Sequence, residues 1–201
     1  TIEDEEREKR FPNSNKSLIA YDLPIDNYIN YIKKNYDDLD LNNFCKNSDI
    51  SINQILSEIR EGKNLAPRCS RQQKKKHGYI DGALIDWNIY HLHLGDKLII
   101  SGKYKNLIQG HKDILFTFID DENAYIIGIF DHDSWTKQSV LQIVYDNWPW
   151  LLEPFKINRA IDLAIDVTDD DRKQLRNAFV NSPIKLGDHV YFGPGGGITA
   201  A

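Results

Sequence analysis

DILFTFIDDENAYIIGIFD (residues 113–131) decides the fold. Two runs rich in β-branched and aromatic side chains, DILFTFID and AYIIGIFD, flank the turn residues Asp121, Glu122 and Asn123. That pattern predicts an antiparallel hairpin, because pleated, half-buried strands favour such residues and a short polar turn joins them. The second run closes on Asp131 and His132, and Ser134 is placed to cap a helix through Val140, Leu141, Val144, Tyr145 and Trp148, ended by Pro149. Upstream, ALIDWNIYHLHLG (83–95) read with strand periodicity puts Ile89, His91 and His93 on one face and Tyr90, Leu92 and Leu94 on the other. Residues 95–112 form a long excursion between these strands, with His111 at its end.

Further out, SLIAYDL (17–23) is a short strand candidate, and Pro24 opens a helix in which Ile25, Tyr28, Ile29 and Ile32 recur at helical spacing. Ser51 then caps a second helix with the stripe Ile52, Ile55, Leu56 and Ile59, stopped by Gly62. Beyond Trp150 come the mixed run IDLAIDV, a short helix capped by Thr168 and started by Asp169, Asp170 and Asp171, the strand-like IKLGDHVYF, and the turn or tail GPGGG (193–197). The expected fold class is α+β: a small antiparallel sheet packed by an N-terminal helical pair, with a C-terminal α/β extension. The expected organisation is a lead-in over 1–16, one domain over 17–148 and an extension over 149–201.

At 201 residues and 41% hydrophobic composition the chain can bury a real core. Its first ten residues, TIEDEEREKR, are charged and it has no long apolar run, so neither a secretory leader nor a membrane span is expected and a cytoplasmic location follows. Cys45 and Cys69 lie alone in polar contexts without metal or redox spacing and read as reduced thiols. The net charge of −5 hides an asymmetry. Between Arg60 and His77, Arg60, Lys63, Arg68, Arg71, Lys74, Lys75 and Lys76 face a single acid, Glu61. Clustered cations of this kind either contact a polyanion or form a solvated loop.

His91 and His93 on one strand face, with His132 at a strand end, form a plausible acid/base set, since imidazole exchanges protons near neutral pH. Three other uses of these residues compete. His91 and His93 could be sheet residues bonded within the fold; the HxH pair could hold a metal ion completed by His132 with Asp131 or Asp133; or the domain could bind without catalysing. Trp135, near His132, offers a surface on which a base could stack.

The segment RQQKKKHGYIDGALIDWNIYHLHLG, followed by DILFTFIDDENAYIIGIFDH, places a basic loop before a strand and closes a hairpin on a histidine. With the preceding strand and helices, this order resembles the RelE/ParE toxin superfamily over about residues 17–148. The resemblance implies a helical pair packed on a small antiparallel sheet and metal-independent RNA cleavage on the sheet's open face, with no cofactor. It implies RNA as substrate, the ribosome or an acidic antitoxin as partner, and His91, His93 and His132 as catalytic residues. Arg68, Arg71, Lys74, Lys75 and Lys76 would hold phosphates, and Trp135 would contact the substrate. This chain departs from that family in being acidic and about twice as long, in the 95–112 insertion, and in the carboxylates of Asp131 and Asp133 beside His132, which would favour the charged imidazole.

Overall fold

The computed structural model describes residues 19–21 (backbone path alone), 52–69, 82–110, 113–120 and 123–193. Within them the chain is a mixture of helices and small sheets, as an α+β class requires. The helix expected after Pro24, and with it the N-terminal pair, lies outside the described residues, as does the basic stretch beyond Cys69 up to His77. The chain divides into two compact units, Thr1–Lys74 with His91–Phe130 and Lys75–Tyr90 with Asp131–Ala201. No helix among the described residues is long and apolar enough to cross a membrane.

The first unit is organised by the hairpin. β1 (Ile19–Tyr21), β2 (Ile89–His93), β3 (Asp113–Ile119) and β4 (Asn123–Asp131) form one sheet in the order β1-β4-β3-β2. β1 runs parallel to β4, Ile19 opposite Asn123 and Tyr21 opposite Tyr125, so the sheet is mixed rather than wholly antiparallel. The β3–β4 turn is closed by Asp120 N–H donating to Asn123 O at 3.0 Å, with Asn123 N–H donating back to Asp120 Oδ1 at 2.7 Å. Consecutive residues of both central strands are buried, Ile114 to Phe118 and Ile127 to Phe130. The hairpin therefore has no open face, and its unbroken apolar runs, in place of strict alternation, are the sequence counterpart of burial on both sides. The one buried hydroxyl in β3, Thr117, donates across the hairpin to Tyr125 O at 3.0 Å.

Helix α1 (residues 52–60) buries the stripe expected of it, Ile52, Ile55, Leu56 and Ile59. It ends where Gly62 takes a left-handed φ of 65°, open to glycine at little cost. A single 3-10 turn, Ala66–Arg68, follows. Arg68 is 1% exposed. Its guanidinium makes a fork to Glu58, Nε to Oε2 at 2.5 Å and Nη2 to Oε1 at 2.8 Å, while Nη1 donates to His93 O at 3.1 Å and Gly95 O at 3.0 Å. The excursion after β2 folds on itself through Ile99 N–H to Leu107 O, and Ile108 N–H reaches Pro67 O at 2.7 Å. Cys69, expected in a polar loop, is buried, its thiol donating to Leu65 O at 3.7 Å.

The second unit begins with α2 (Gly82–Trp87), a helix where strand periodicity was expected to run on through ALIDW. Asn88, at φ 58°, separates it from β2, and asparagine is among the few residues that adopt that conformation readily. Ser134 does not cap a helix. Residues His132–Thr136 form a 3-10 turn capped by Asp131, which accepts from Asp133 N–H at 3.1 Å and from Ser134 Oγ at 2.7 Å. Helix α3 (Gln138–Asn147) starts later, its first N–H donating to Asp169 Oδ1 at 2.9 Å. That aspartate opens α4 (Asp169–Asn177), whose Thr168 cap and Asp171 make a reciprocal capping box. IKLGDHVYF splits into the antiparallel pair β5 (Ile184–Leu186) and β6 (His189–Tyr191), turned at Gly187 with φ 56°.

Removing either partner of the Arg68–Glu58 pair leaves a desolvated charge. Arg68→Ala should cost about 3–5 kcal/mol in urea unfolding, and a loss under 1 kcal/mol would show that the fork is dispensable. For Glu58, burial pushes the carboxyl up, but the Arg68 hydrogen bond and charge outweigh it and hold the group below its ordinary value of 4.5. A depressed carboxyl contributes stability above its unfolded value that is lost as pH falls through the folded one. Glu58→Gln should therefore flatten the acid limb of the stability curve below about pH 4.5.

Candidate functional site

His91 and His93 project from β2 on one side, two residues apart, and their rings meet edge to face at 6.0 Å between centroids. His93 is 6% exposed, whereas His91 is half-buried with its ring 6.4 Å from Phe116. Gly110 passes so close that a Cβ built on it would lie 2.7 Å from His93 Nδ1. The inner imidazole is thus a packed part of the first unit, and the outer one is the accessible group. Phe116 in turn packs on Phe130 at 5.5 Å, so the ring array continues from β2 across β3 to β4.

β4 does not pair with β2, because β3 lies between them. His132 follows β4 directly and belongs to the second unit, where it is exposed. The two neighbouring carboxylates have work of their own: Asp131 caps the turn, and Asp133 pairs with Lys173 at 3.2 Å. Among the described residues no group of three or more His, Cys, Asp or Glu side chains is arranged to hold a metal ion.

The basic candidates separate into two groups. Arg71, Lys74, Lys75 and Lys76 lie outside the described residues. Arg68 is corrected: it was expected to hold a phosphate, but it is a buried cation whose donors are all directed into the protein. Trp135 is corrected as well. The Arg176 guanidinium stands 5.5 Å from its ring centroid, and Gly82 packs so closely that an added Cβ would lie 2.5 Å from Cζ3. An aromatic face already holding a guanidinium is not a free stacking surface. Of the other tryptophans, Trp87 and Trp148 are buried and Trp150 is exposed.

Arg176 had no motif to announce it. It is 9% exposed, its Nε lies 2.6 Å from the buried Asp86 Oδ2, and together with Trp135 it ties α4 to α2 and to the turn after β4. The i, i+4 position of Arg176 after Arg172 on an otherwise polar helix was the available signal, since both arginines face inward.

Gly110→Ala should displace the His93 ring and cost about 1–3 kcal/mol, read by urea unfolding together with the imidazole proton signals of His93. Unchanged signals would show that the glycine does not position the ring. Arg176→Ala should cost about 3–5 kcal/mol by stranding the Asp86 carboxylate, with a changed tryptophan emission; thermal unfolding followed by fluorescence reads both. The chain matches no family model, no curated protein and no solved structure.

Proposed function

We propose that the protein is a metal-independent RNA-cleaving enzyme of the toxin-like kind, acting in the cytoplasm, with His91 as its proton acceptor. The observation that carries this is the His91 imidazole, half-buried at the rim of β2 and held edge-on against the packed ring of His93. A proton-transfer group needs access to substrate together with a fixed orientation, and this pair supplies both. His93 is then a positioning residue rather than a catalytic one.

In the reaction, a ribose 2′-OH attacks the adjacent phosphorus and His91 takes its proton. The bond to the leaving 5′ oxygen breaks, that oxygen gains a proton from a second acid, and a cyclic phosphate remains. Cations stabilise the charge on the pentacoordinate phosphorus, and Arg71 and Lys74 to Lys76 supply that chemistry in the sequence. An acidic antitoxin would neutralise the same basic stretch.

Incubation of a mixed-sequence RNA with the full chain in EDTA should yield cyclic-phosphate ends. His91→Ala should slow the cleavage by roughly 10²–10⁴-fold, and His93→Gln should shift the pH profile. His132→Ala reads separately whether the second imidazole takes part. An RNA left intact by wild-type protein, with and without added zinc, would remove the catalytic assignment and leave a binding module.

A further inference from the structure

Within the second unit lies a cleft of about 380 Å³ that the proposed RNA chemistry does not use. Gln138 and Gln142 stand one turn apart on α3 along one side, the 163–167 segment forms another, and β5 contributes Ile184 and Lys185. Leu163 and Val167, both half-buried, give it an aliphatic side, backed by the buried Ile184. Its volume falls in the range of small-molecule sites.

Most of its polar atoms already have partners. Gln138 Nε2 donates to Lys185 O at 3.0 Å, and its Oε1 accepts from Arg172 Nη2 at 3.5 Å. Arg172 also donates to Thr136 O and Val167 O, at 3.0 and 3.2 Å. Lys185 Nζ is held by Asp162 at 2.9 Å and sits in the field of Asp188 and Asp166 as well. Two groups remain without a hydrogen-bond donor among the described residues: the Asp166 carboxylate and the Gln142 amide oxygen, whose own Nε2 is turned to Asp146 Oδ1 at 2.8 Å. Both are acceptors. The lining's two cations are already met by carboxylates, Lys185 by Asp162 with Asp188 and Asp166 nearby, and Arg172 by Asp169 and Asp171, so the charges left to a ligand are those of the aspartates.

An anion would meet this negative field and find no unengaged guanidinium. A donor-rich cation would meet matched acceptors and an apolar wall for its stem. We propose that the cleft binds an organic cation, a guanidinium or alkylammonium head on an aliphatic stem, the head donating to Asp166 and the Gln142 oxygen and the stem lying on Leu163 and Val167. Such a group is carried either by a free small molecule or by a basic side chain of a peptide. Ile161 and Ile165, each followed by an aspartate and 75% and 78% exposed, extend the same apolar-and-acidic chemistry along the rim.

The test titrates the isotopically labelled full chain with agmatine and, separately, with a capped tripeptide containing one central arginine, following backbone amide shifts. Shifts at Gln142, Leu163, Asp166 and Val167 are expected with a cation and absent with propionate. Tighter binding of agmatine assigns the source to free molecules, and tighter binding of the tripeptide assigns it to a peptide. Asp166→Asn and Gln142→Leu, both on accessible side chains, should each weaken binding by about tenfold, and raised salt should weaken it further. Absence of cleft shifts with either cation, equal shifts with propionate, or full affinity in Asp166→Asn would overturn the assignment.

Discussion

The Arg68–Glu58 fork is the constraint on which the first unit depends. One guanidinium satisfies a carboxylate of α1 and at the same time the backbone carbonyls where β2 ends, at His93 and Gly95. An ammonium could not do this, since only the planar fork offers parallel donors to a carboxylate and leaves a further nitrogen for carbonyls. Helix α1, the 3-10 turn and the exit of β2 are therefore fixed by one side chain. The imidazole pair sits just before that exit, so its backbone is anchored at the end where His93 lies.

The hairpin, α1 with its glycine stop and the Thr168 cap were legible because each is encoded by neighbours a few residues apart. The elements that were not legible depend on partners distant in sequence. Six residues are too few for helical and strand periodicity to separate, and the boundary at Asn88 is a backbone conformation rather than a pattern. Helix α3 begins at Gln138 because Asp169 receives its first N–H, a partner supplied by another helix. Ser134 has the chemistry of a cap, but the Asp131 carboxylate takes its hydroxyl first.

The candidate site was legible as residue type and face, not as role. A period of two puts His91 and His93 side by side, and their rings do meet. What separates them is Gly110, whose missing side chain admits the inner imidazole and leaves the outer one at the rim. Arg68 was misplaced for a related reason. In a run of cations, sequence does not distinguish the one whose acid lies on the preceding helix. The buried pair Asp86–Arg176 and the half-buried ring of Trp135 form a charge-and-ring group assembled from three separate stretches of chain, so no local window contains it.

The two compact units are not consecutive lengths of chain. Among the described residues the chain changes unit between Tyr90 and His91 within β2 and between Phe130 and Asp131 at the end of β4. During synthesis, then, the first unit lacks its central strands until β4 has emerged, and α2 waits for Arg176 long after it has left the ribosome. Neither unit corresponds to an uninterrupted stretch of coding sequence. A single cut in the coding sequence would therefore separate neither unit whole.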